Sequence, residues 1–349
     1  MEGKDVISGS AFADIISGSR RTVLAVHTHP DGDAIGCGTG LLHFIREVLG
    51  KRAVLAVPDA IPDNLLFLLE GLGDSVLVHD SRPEETEKAI AEADLIIGMD
   101  ISGFDRTGPL KSFLHSSKAR KILIDHHLNP DTDAFDVAFS DTEVSSSCEL
   151  LYRILSDTVQ IHGDASLLPL PAATALMTGM TTDTNNFANS VFPGTLRMAS
   201  DLLSSGVDRE MIIDNVYHAY RENRIRLLGF LLYDRLGITP SGAAYMVLTR
   251  KEMEDFGISE AETEGFVNIP LSIGKVKISI FLREEDGFFR VSVRSKKGIS
   301  ANALAMKYFN GGGHELAAGG KLFLSEEIRS GKNAEDYVVR VTGEYLEGR

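Results

Sequence analysis

The chain lacks three features that would place it in other classes of protein: a long apolar run, a cluster of cysteines and an excess of positive charge. In its 349 residues, 43% of them hydrophobic, no apolar run is long enough to span a bilayer. Cys37 and Cys148 have no closely spaced ligand partner, so we expect both to be reduced, packed thiols. The net charge of −15 disfavours binding to long nucleic acid, because that affinity comes mainly from Lys and Arg on phosphates.

The first 20 residues also lack the pattern of a secretory signal. They are mixed and polar, without a basic start or a continuous apolar stretch. We therefore expect a cytoplasmic protein with no membrane partner. Long duplex nucleic acid is a poor candidate for its ligand. A small anionic substrate is compatible with the negative charge, because bound cations and a few arginines can reverse the potential inside one cleft.

Hydrophobic patterning in the first half predicts a parallel sheet covered by helices. Apolar, β-branched runs alternate with segments of helical spacing, which is typical of βαβ units. The predicted strands are 22–26, 53–57, 76–78, 95–99 and 121–124. The predicted helices are 35–49, 64–72 and 84–93. Nearly continuous apolar strands indicate a sheet that is buried on both faces.

The second half predicts a helical segment followed by a smaller domain. Helical spacing covers 145–157, 172–180, 196–205 and a long stretch at 209–236. Strands at 243–248, 276–283 and 288–294 then precede a helix at 302–309, a glycine turn at 311–313 and a helix at 334–345. The predicted fold class is α/β, with a parallel-sheet domain at 1–208, a helical linker at 209–238 and a smaller α/β domain at 239–349.

Histidine and aspartate follow three of the predicted strands. His27, Asp31 and Asp33 come after the first strand, Asp100 after the fourth, and Asp125–His127 after the fifth. Because ligands of such sheets collect at the carboxyl ends of the strands, we expect these side chains to meet. Carboxylate oxygens and imidazole nitrogens suit divalent manganese, magnesium or zinc. The pattern therefore predicts a metal site.

The number of carboxylates indicates two ions. Asp31, Asp33, Asp100 and Asp183 would repel one another if they gathered without cations. Two divalent ions would balance these carboxylates while the histidines stay neutral. Asp183 by itself resembles an ordinary helix end, so its assignment depends on the other three.

Five short motifs occur in one order along nearly the whole chain. They are H-x-x-P-D-x-D-A at 27–34, an aspartate at 100 followed by D-R-x-G at 105–108, D-H-H at 125–127, T-D-T at 182–184, and R-S, G-G-G-H and A-A-G between 294 and 319. Together they resemble the DHH phosphoesterase superfamily. The resemblance is closer to its branch of bacterial nanoRNase and pAp-phosphatase-like proteins, which includes exopolyphosphatase-related members.

The resemblance implies a ligand for each position of a two-metal centre. One ion would be held by His27, Asp31 and Asp100, and the other by Asp33, Asp100, His126 and Asp183, with Asp100 bridging both. Asp125 would orient its neighbours and His127 would face the substrate phosphate, so the implied catalytic residues are Asp100, Asp125, His126 and His127. Two divalent ions, with manganese the preferred assignment, would activate water for attack on phosphorus.

The second domain resembles the DHH-associated domain of the family, which implies that it binds substrate. The implied substrate residues are Arg294, Ser295, Gly311, Gly312, Gly313 and His314, together with Arg106 of the first domain. Glycine-rich segments can hold anions through backbone N–H groups that no Cβ obstructs. We therefore expect this segment to bind a phosphate.

Short phosphorylated nucleotides are the implied substrates. We expect hydrolysis of oligoribonucleotides of a few residues, pAp or linear dinucleotides, with a homodimer as one compatible assembly. Hydrolysis of polyphosphate or pyrophosphate is the alternative within enzymes. A non-catalytic nucleotide-binding regulator is the alternative of another class, and it would require a broken ligand set, whereas every implied ligand is present.

The chain departs from the family pattern after T-D-T. Many relatives have a glycine and then an arginine-aromatic pair that contacts substrate, whereas residues 185–189 here read Asn-Asn-Phe-Ala-Asn. The implied metal ligands are unaffected. The departure removes one phosphate contact and therefore bears on substrate preference.

Overall fold

A computed structural model describes residues 7–325, 328 and 330–347 of the chain. The chain forms two compact units, and the boundary between them lies between Ala219 and Tyr220. Cys37 and Cys148 are buried free thiols, as expected. Among the described residues, no helix is both long enough and apolar enough to cross a bilayer.

The first unit contains a parallel sheet flanked by helices. Its helices are α1 (Gly9–Gly18), α2 (Gly32–Glu47), α3 (Pro83–Glu92), α4 (Lys111–Ser116), α5 (Ser147–Ser156), α6 (Leu170–Asp183), α7 (Pro193–Ser204) and α8 (Arg209–Tyr217). Its strands are β1 (Thr22–Ala25), β2 (Ala53–Val57), β3 (Val76–Val78), β4 (Leu95–Met99), β5 (Arg120–Asp125) and β6 (Val137–Ser140). The strand order is β3-β2-β1-β4-β5-β6, and each neighbouring pair is parallel, so the predicted parallel sheet is confirmed.

Both faces of this sheet are buried, because successive side chains of each strand point to opposite sides. In β4, Leu95, Ile97 and Met99 belong to the core that includes α2, α5 and α6. Ile96 belongs to the core on the opposite face, with Ile90 of α3. This arrangement explains the continuous apolar runs of the strands.

The strand order reverses next to β1. From β1 the chain adds β2 and β3 on one side and then returns to place β4 on the other side. In sheets of this kind, a crevice opens where the order reverses, at the carboxyl ends of the two strands concerned. His27 lies just beyond β1 and Asp100 directly follows β4, so both residues lie at this crevice.

The second unit is a smaller domain built on a mixed sheet. Its helices are α9 (Glu222–Phe230), α10 (Arg250–Phe256), α11 (Ala301–Tyr308) and α12 (Gly331–Glu347). Its strands are β7 (Gly237–Ile238), β8 (Ala243–Leu248), β9 (Ile278–Glu285), β10 (Phe288–Ser295), β11 (Gly312–Gly313) and β12 (Ala317–Phe323). The order is β11-β12-β10-β9-β8-β7, with β8 and β9 parallel and the other pairs antiparallel. The predicted smaller α/β domain is therefore confirmed.

Two local predictions are wrong. The segment predicted as a helix at 64–72 is a 3-10 helix at Asp63–Leu69, and Gly71 and Gly73, both at positive φ, follow it. The predicted glycine turn at 311–313 is partly a strand, since Gly312 and Gly313 pair with β12. Apolar spacing does not distinguish an α-helix from a short 3-10 helix, and glycine content does not distinguish a turn from a strand that contains glycines.

The segment predicted as a helical stretch at 209–236 is divided between the two units. The α8 helix ends at Tyr217 and α9 begins at Glu222. Ile212 packs in the core of the first unit, whereas Leu227 packs in a core of the second. The apolar spacing is continuous in the sequence, but its two halves are buried against different cores.

Candidate metal centre

Three neighbouring strands bring acidic and histidine side chains together at one edge of the sheet. β4 lies between β1 and β5. His27 follows β1, Asp100 follows β4, and His126 follows β5. All three are buried, at 4%, 2% and 5% exposure, and the structure brings them together as the sequence predicts. Burial of so much potential charge requires compensation by opposite charge or by a bound ion.

Asp100 belongs to three groups of possible metal ligands; one joins it to Asp125 and His127, and the other two match the ion sites implied by the sequence. His27, Asp31 and Asp100 form one group and Asp33, Asp100 and His126 form the other, with ligand atoms within 4.8 Å of one another in each group. Asp100 Oδ2 lies 3.3 Å from His27 Nε2, and Asp100 Oδ1 lies 3.7 Å from His126 Nε2. One carboxylate thus presents a different oxygen to each group.

Asp183 extends the second group. It is the last residue of α6, which runs three residues beyond the predicted end at 180. Its Oδ2 lies 3.5 Å from His126 Nε2, and Asp33 Oδ2 lies 3.7 Å from the same nitrogen. The two carboxylates therefore face one imidazole, which is the arrangement expected around a shared cation.

The orientation of His27 fits metal binding. Its Nδ1 lies 2.8 Å from the backbone oxygen of Thr28, so the N–H at this position donates a hydrogen bond to that oxygen. Its buried Nε2 has no hydrogen-bond partner among the described residues. A metal-binding histidine commonly donates its other N–H in this way, which fixes the tautomer and directs the free nitrogen towards the ion.

The protein groups alone leave the centre electrostatically unbalanced. Burial lowers the pKa of His27, but the carboxylates of Asp100 and Asp31 outweigh it and raise that pKa to about 10. Burial, with repulsion from Asp100 and Asp183, raises the pKa of Asp33 well above its ordinary value. Protons thus hold positions where a divalent cation would neutralise the carboxylates, and metal binding at such sites releases protons.

Asp100 has the opposite shift and a strained backbone. Burial would raise the pKa of Asp100, but the nearby imidazoles of His27, His127 and His126 hold it well below the ordinary value. Its φ of 58° lies in the left-handed region, which is uncommon outside glycine. Such strain is frequent at functional sites, where the surrounding structure maintains it.

Asp125 orients His127 and Arg106 in a chain of hydrogen bonds. Asp125 Oδ1 accepts from the backbone N–H of His127 at 2.6 Å and from its Nδ1 at 3.0 Å. Asp125 Oδ2 accepts from the backbone N–H of Ser102. With Nδ1 as the donor, His127 Nε2 accepts from Arg106 Nη1 at 2.9 Å. The buried carboxylate thus fixes the imidazole ring, and the ring in turn holds the guanidinium.

Sequence reasoning missed the segment at the start of α5. Asp33 Oδ2 accepts from the backbone N–H of Ser147 at 2.7 Å, and Asp33 Oδ1 accepts from that of Cys148 at 2.9 Å. Ser147 Oγ donates to Asp100 Oδ1 at 3.0 Å. The available signal was the S-x-x-E pattern of Ser146 and Glu149, which predicts a helix start but not its contacts with distant aspartates.

Glu149 anchors this segment from inside the core. Its side chain is fully buried, and Oε2 accepts from the N–H and the hydroxyl of Ser145 at 2.9 and 2.7 Å and from Thr195 Oγ1 at 2.6 Å. Arg153 Nη2 donates to Oε1 at 2.5 Å. The buried charge is therefore paired and hydrogen-bonded on both oxygens, as such charges must be.

We expect Glu149→Gln to lower the free energy of unfolding by about 2 kcal/mol. The amide keeps one acceptor oxygen but presents an NH₂ group to donors that now bond to a carboxylate. The urea midpoint measures the loss. Glu143→Gln, on the exposed loop just before, is the matched control, with an expected change under about 0.5 kcal/mol. Equal midpoints for the two variants would contradict the anchoring role.

The predicted substrate segment of the second unit uses most of its backbone N–H groups internally. Gly311 N donates to Ala305 O at 3.3 Å and His314 N donates to Ala317 O at 2.7 Å. Gly313 N donates to Asn302 Oδ1 at 2.9 Å. The hydroxyl of Ser295 donates to Ile299 O at 2.6 Å. The backbone of this segment therefore has few N–H groups left for an anion, so a phosphate contact here would have to come mainly from side chains.

The departure after T-D-T forms a left-handed turn. Asn185, Asn186 and Phe187 all have positive φ, and the Phe187 N–H donates to Thr184 Oγ1 at 3.0 Å. Arg209 of α8 donates to Asn186 Oδ1, and its guanidinium carbon lies 5.8 Å from the centre of the Phe187 ring. An arginine and an aromatic ring that are distant in sequence are thus adjacent in the structure.

Comparisons with known proteins agree with this architecture. Residues 21–180 match the model of the DHH family N-terminal domain, and residues 241–338 match the model of the DHHA1 domain.

Two relatives share the name bifunctional oligoribonuclease and PAP phosphatase NrnA. The protein from Thermus thermophilus is 31% identical, over 86% of this chain and 83% of its own length. The protein from Bacillus subtilis is 29% identical, over 87% of this chain and 90% of its own length.

A solved structure is also similar to this chain. The crystal structure of an exopolyphosphatase-related protein from Bacteroides fragilis has 35% sequence identity and a TM-score of 0.84. The match covers 97% of this chain and 95% of that one. The likeness therefore extends over both units.

Proposed function

Because the chain belongs to the DHH family, we propose that it is a metal-dependent phosphohydrolase that cleaves short phosphorylated nucleotides by two-metal activation of water. The observation that carries the proposal is that the His27–Asp31 group and the Asp33–His126 group both include Asp100. The orphaned Nε2 of His27 supports it, because a buried nitrogen without a partner is costly unless it binds an ion. The relatives named oligoribonuclease and PAP phosphatase indicate the substrate class.

We assign one ion to His27, Asp31 and Asp100, and the other to Asp33, Asp100, His126 and Asp183. Manganese suits this mixture of carboxylate oxygen and imidazole nitrogen, with no thiolate among the ligands. When bound, the ions would lower the pKa of water and stabilise phosphoryl oxygens. Asp100 would hold both ions at one spacing, since its two oxygens face different groups.

The remaining proposed residues orient neighbouring side chains or would bind the phosphates of the substrate. Asp125 fixes the ring of His127, and His127 holds the guanidinium of Arg106 at 2.9 Å. Through these hydrogen bonds, the guanidinium of Arg106 would be held in position to contact a phosphoryl oxygen of the substrate. In the second unit, Arg294, Ser295 and Gly311–His314 would bind a further phosphate, with the side chains of Arg294 and His314 as the main contacts.

Polyphosphate is the alternative substrate that a specific observation favours. The relative from Bacteroides fragilis is described as exopolyphosphatase-related. The adjacency of Arg209 and Phe187 favours a nucleotide instead, because an aromatic ring offers stacking to a base and inorganic polyphosphate has none. Hydrolysis of nucleotides is therefore the preferred assignment.

A substrate panel with manganese should separate these alternatives. We expect the highest kcat/KM on pAp or on RNA of two to about five nucleotides. Longer RNA should be cleaved more slowly at low salt because a chain of net charge −15 repels it, and added salt should reduce the difference. Initial rates on pAp, pGpG, pApA, a 24-nucleotide RNA, pyrophosphate and polyphosphate measure this.

Each of the other outcomes would indicate a different function. Faster hydrolysis of polyphosphate than of any nucleotide would support the alternative substrate. Nucleotide binding without turnover in the presence of manganese would indicate a regulator. Asp100→Asn protein, purified in parallel, controls for a contaminating nuclease.

A further inference from the structure

One hydroxyl group outside the assigned ligand sets contacts the carboxylate that both sets share. Ser147, the first residue of α5, is fully buried, and its Oγ donates to Asp100 Oδ1 at 3.0 Å. The backbone N–H of the same residue donates to Asp33 Oδ2 at 2.7 Å. Ser147 therefore contacts two of the buried carboxylates with two separate groups.

The hydroxyl determines which oxygen of Asp100 faces which ligand group. Rotation about the last side-chain bond of an aspartate is soft and nearly two-fold, so the carboxylate needs an external contact to hold one orientation. Oδ1, which accepts from Ser147, lies on the side of His126, and Oδ2 lies on the side of His27. The contact thus holds the orientation that a bridging carboxylate requires.

Ser147 is itself held rigidly. The hydroxyl of Ser146 caps α5 by accepting from the N–H of Glu149 at 3.0 Å. The side chain of Glu149 then holds Ser145 and Thr195 inside the core. Because the residues before and after Ser147 are fixed by buried hydrogen bonds, its hydroxyl has little freedom to leave Asp100.

We infer that Ser147 is a positioning residue, which acts through Asp100 to set the geometry of both metal-binding groups. The inference rests on the proposed metal-dependent function. Hydrogen bonds to ligating carboxylates commonly tune metal affinity, and their loss weakens it about 10- to 100-fold. The expected defect is in metal binding, since the N–H of Ser147 and the fold of α5 do not depend on the hydroxyl.

Calorimetric titration of the metal-stripped full-length protein with Mn²⁺ tests the positioning role of Ser147. Ser147→Ala is expected to bind Mn²⁺ about 10- to 100-fold more weakly, with a thermal midpoint close to that of the parent protein. In activity assays, excess Mn²⁺ should restore most of the turnover of Ser147→Ala but none of that of Asp100→Asn. A merely structural role for the hydroxyl would not produce this rescue.

Ser156→Ala is the matched control, because it removes a hydroxyl at the opposite end of α5 that has no hydrogen-bond partner among the described residues. It should leave the thermal midpoint close to that of the parent protein and the affinity for Mn²⁺ within about two-fold. If Ser147→Ala does not fold, Ser147→Gly takes its place, since glycine also removes the hydroxyl and keeps the backbone N–H. Unchanged Mn²⁺ affinity in the folded variant would overturn the inference. The titration contains no substrate, so it is independent of whether the substrate panel succeeds.

Discussion

Replacement of Asp100 by asparagine is expected to reduce kcat by several orders of magnitude and to lower the amount of bound manganese. Asp100 presents one oxygen to the His27 group and the other to the His126 group. An amide of the same shape would present a neutral NH₂ to one of the two groups, and it would remove the negative charge that both share. Metal analysis of the purified variant, together with single-turnover kinetics, measures both effects.

Asp94 provides the matched control for this experiment. Asp94 directly precedes β4 and Asp100 directly follows it, so the two aspartates lie at opposite ends of one strand. Asp94 accepts from the backbone N–H groups of Arg20 and Arg21 and is distant from the metal-binding groups along the strand. Asp94→Asn should retain the parent's metal content and turnover. Near-normal activity in Asp100→Asn with two ions bound would exclude the bridging role.

Replacement of Gly36 by valine is expected to lower the free energy of unfolding by about 3 kcal/mol and to weaken metal binding. Gly36 lies on the face of α2 that packs against α6, where a Cβ would come within 2.5 Å of the backbone oxygen of Ala175. Backbone cannot move aside as a side chain can, so the two helices must separate. Asp33 on α2 and Asp183 on α6 would then be drawn away from the His126 ring that they share.

Gly343→Val tests whether loss of a helical glycine explains the effect. Gly343 lies inside α12, and a Cβ there meets nothing within 4 Å. Valine and glycine differ little in helix propensity, so the expected change is under about 0.5 kcal/mol. Denaturant unfolding and manganese titration of both variants decide the matter. Equal stability and equal manganese affinity in the two would show that close approach of α2 and α6 is not required.

The strands and the residues that follow them could be predicted because their signals are local. Buried parallel strands are nearly continuous apolar runs, as in β4, and this pattern is visible without knowledge of their neighbours. Asp100 and His27 were placed at the sheet edge by the rule that ligands collect beyond the carboxyl ends of such strands. Their proximity in the structure, 3.3 Å between Asp100 Oδ2 and His27 Nε2, agrees with that expectation.

Other features could not be predicted because their partners are distant in the chain. β6 and β12 were missed, since only two of the four residues of β6 are buried and β12 contains two glycines, so both have weak apolar patterns and are stabilised by their neighbours. The contact of Ser147 with Asp100 joins residues 47 positions apart, and no spacing rule predicts it. The adjacency of Arg209 and Phe187 is of the same kind.

The sequence by itself determined the class of fold and the chemical nature of the centre, because apolar periodicity and the choice of Asp and His are properties of each residue and its near neighbours. Only the tertiary structure decided which oxygen of Asp100 faces which group, and that the start of α5 holds Asp33 and Asp100. It also decided that the N–H groups of the 311–314 segment are mostly used internally. These outcomes depend on contacts between segments far apart in the chain, whose distances and directions are set only when the packed core fixes the helices relative to the sheet.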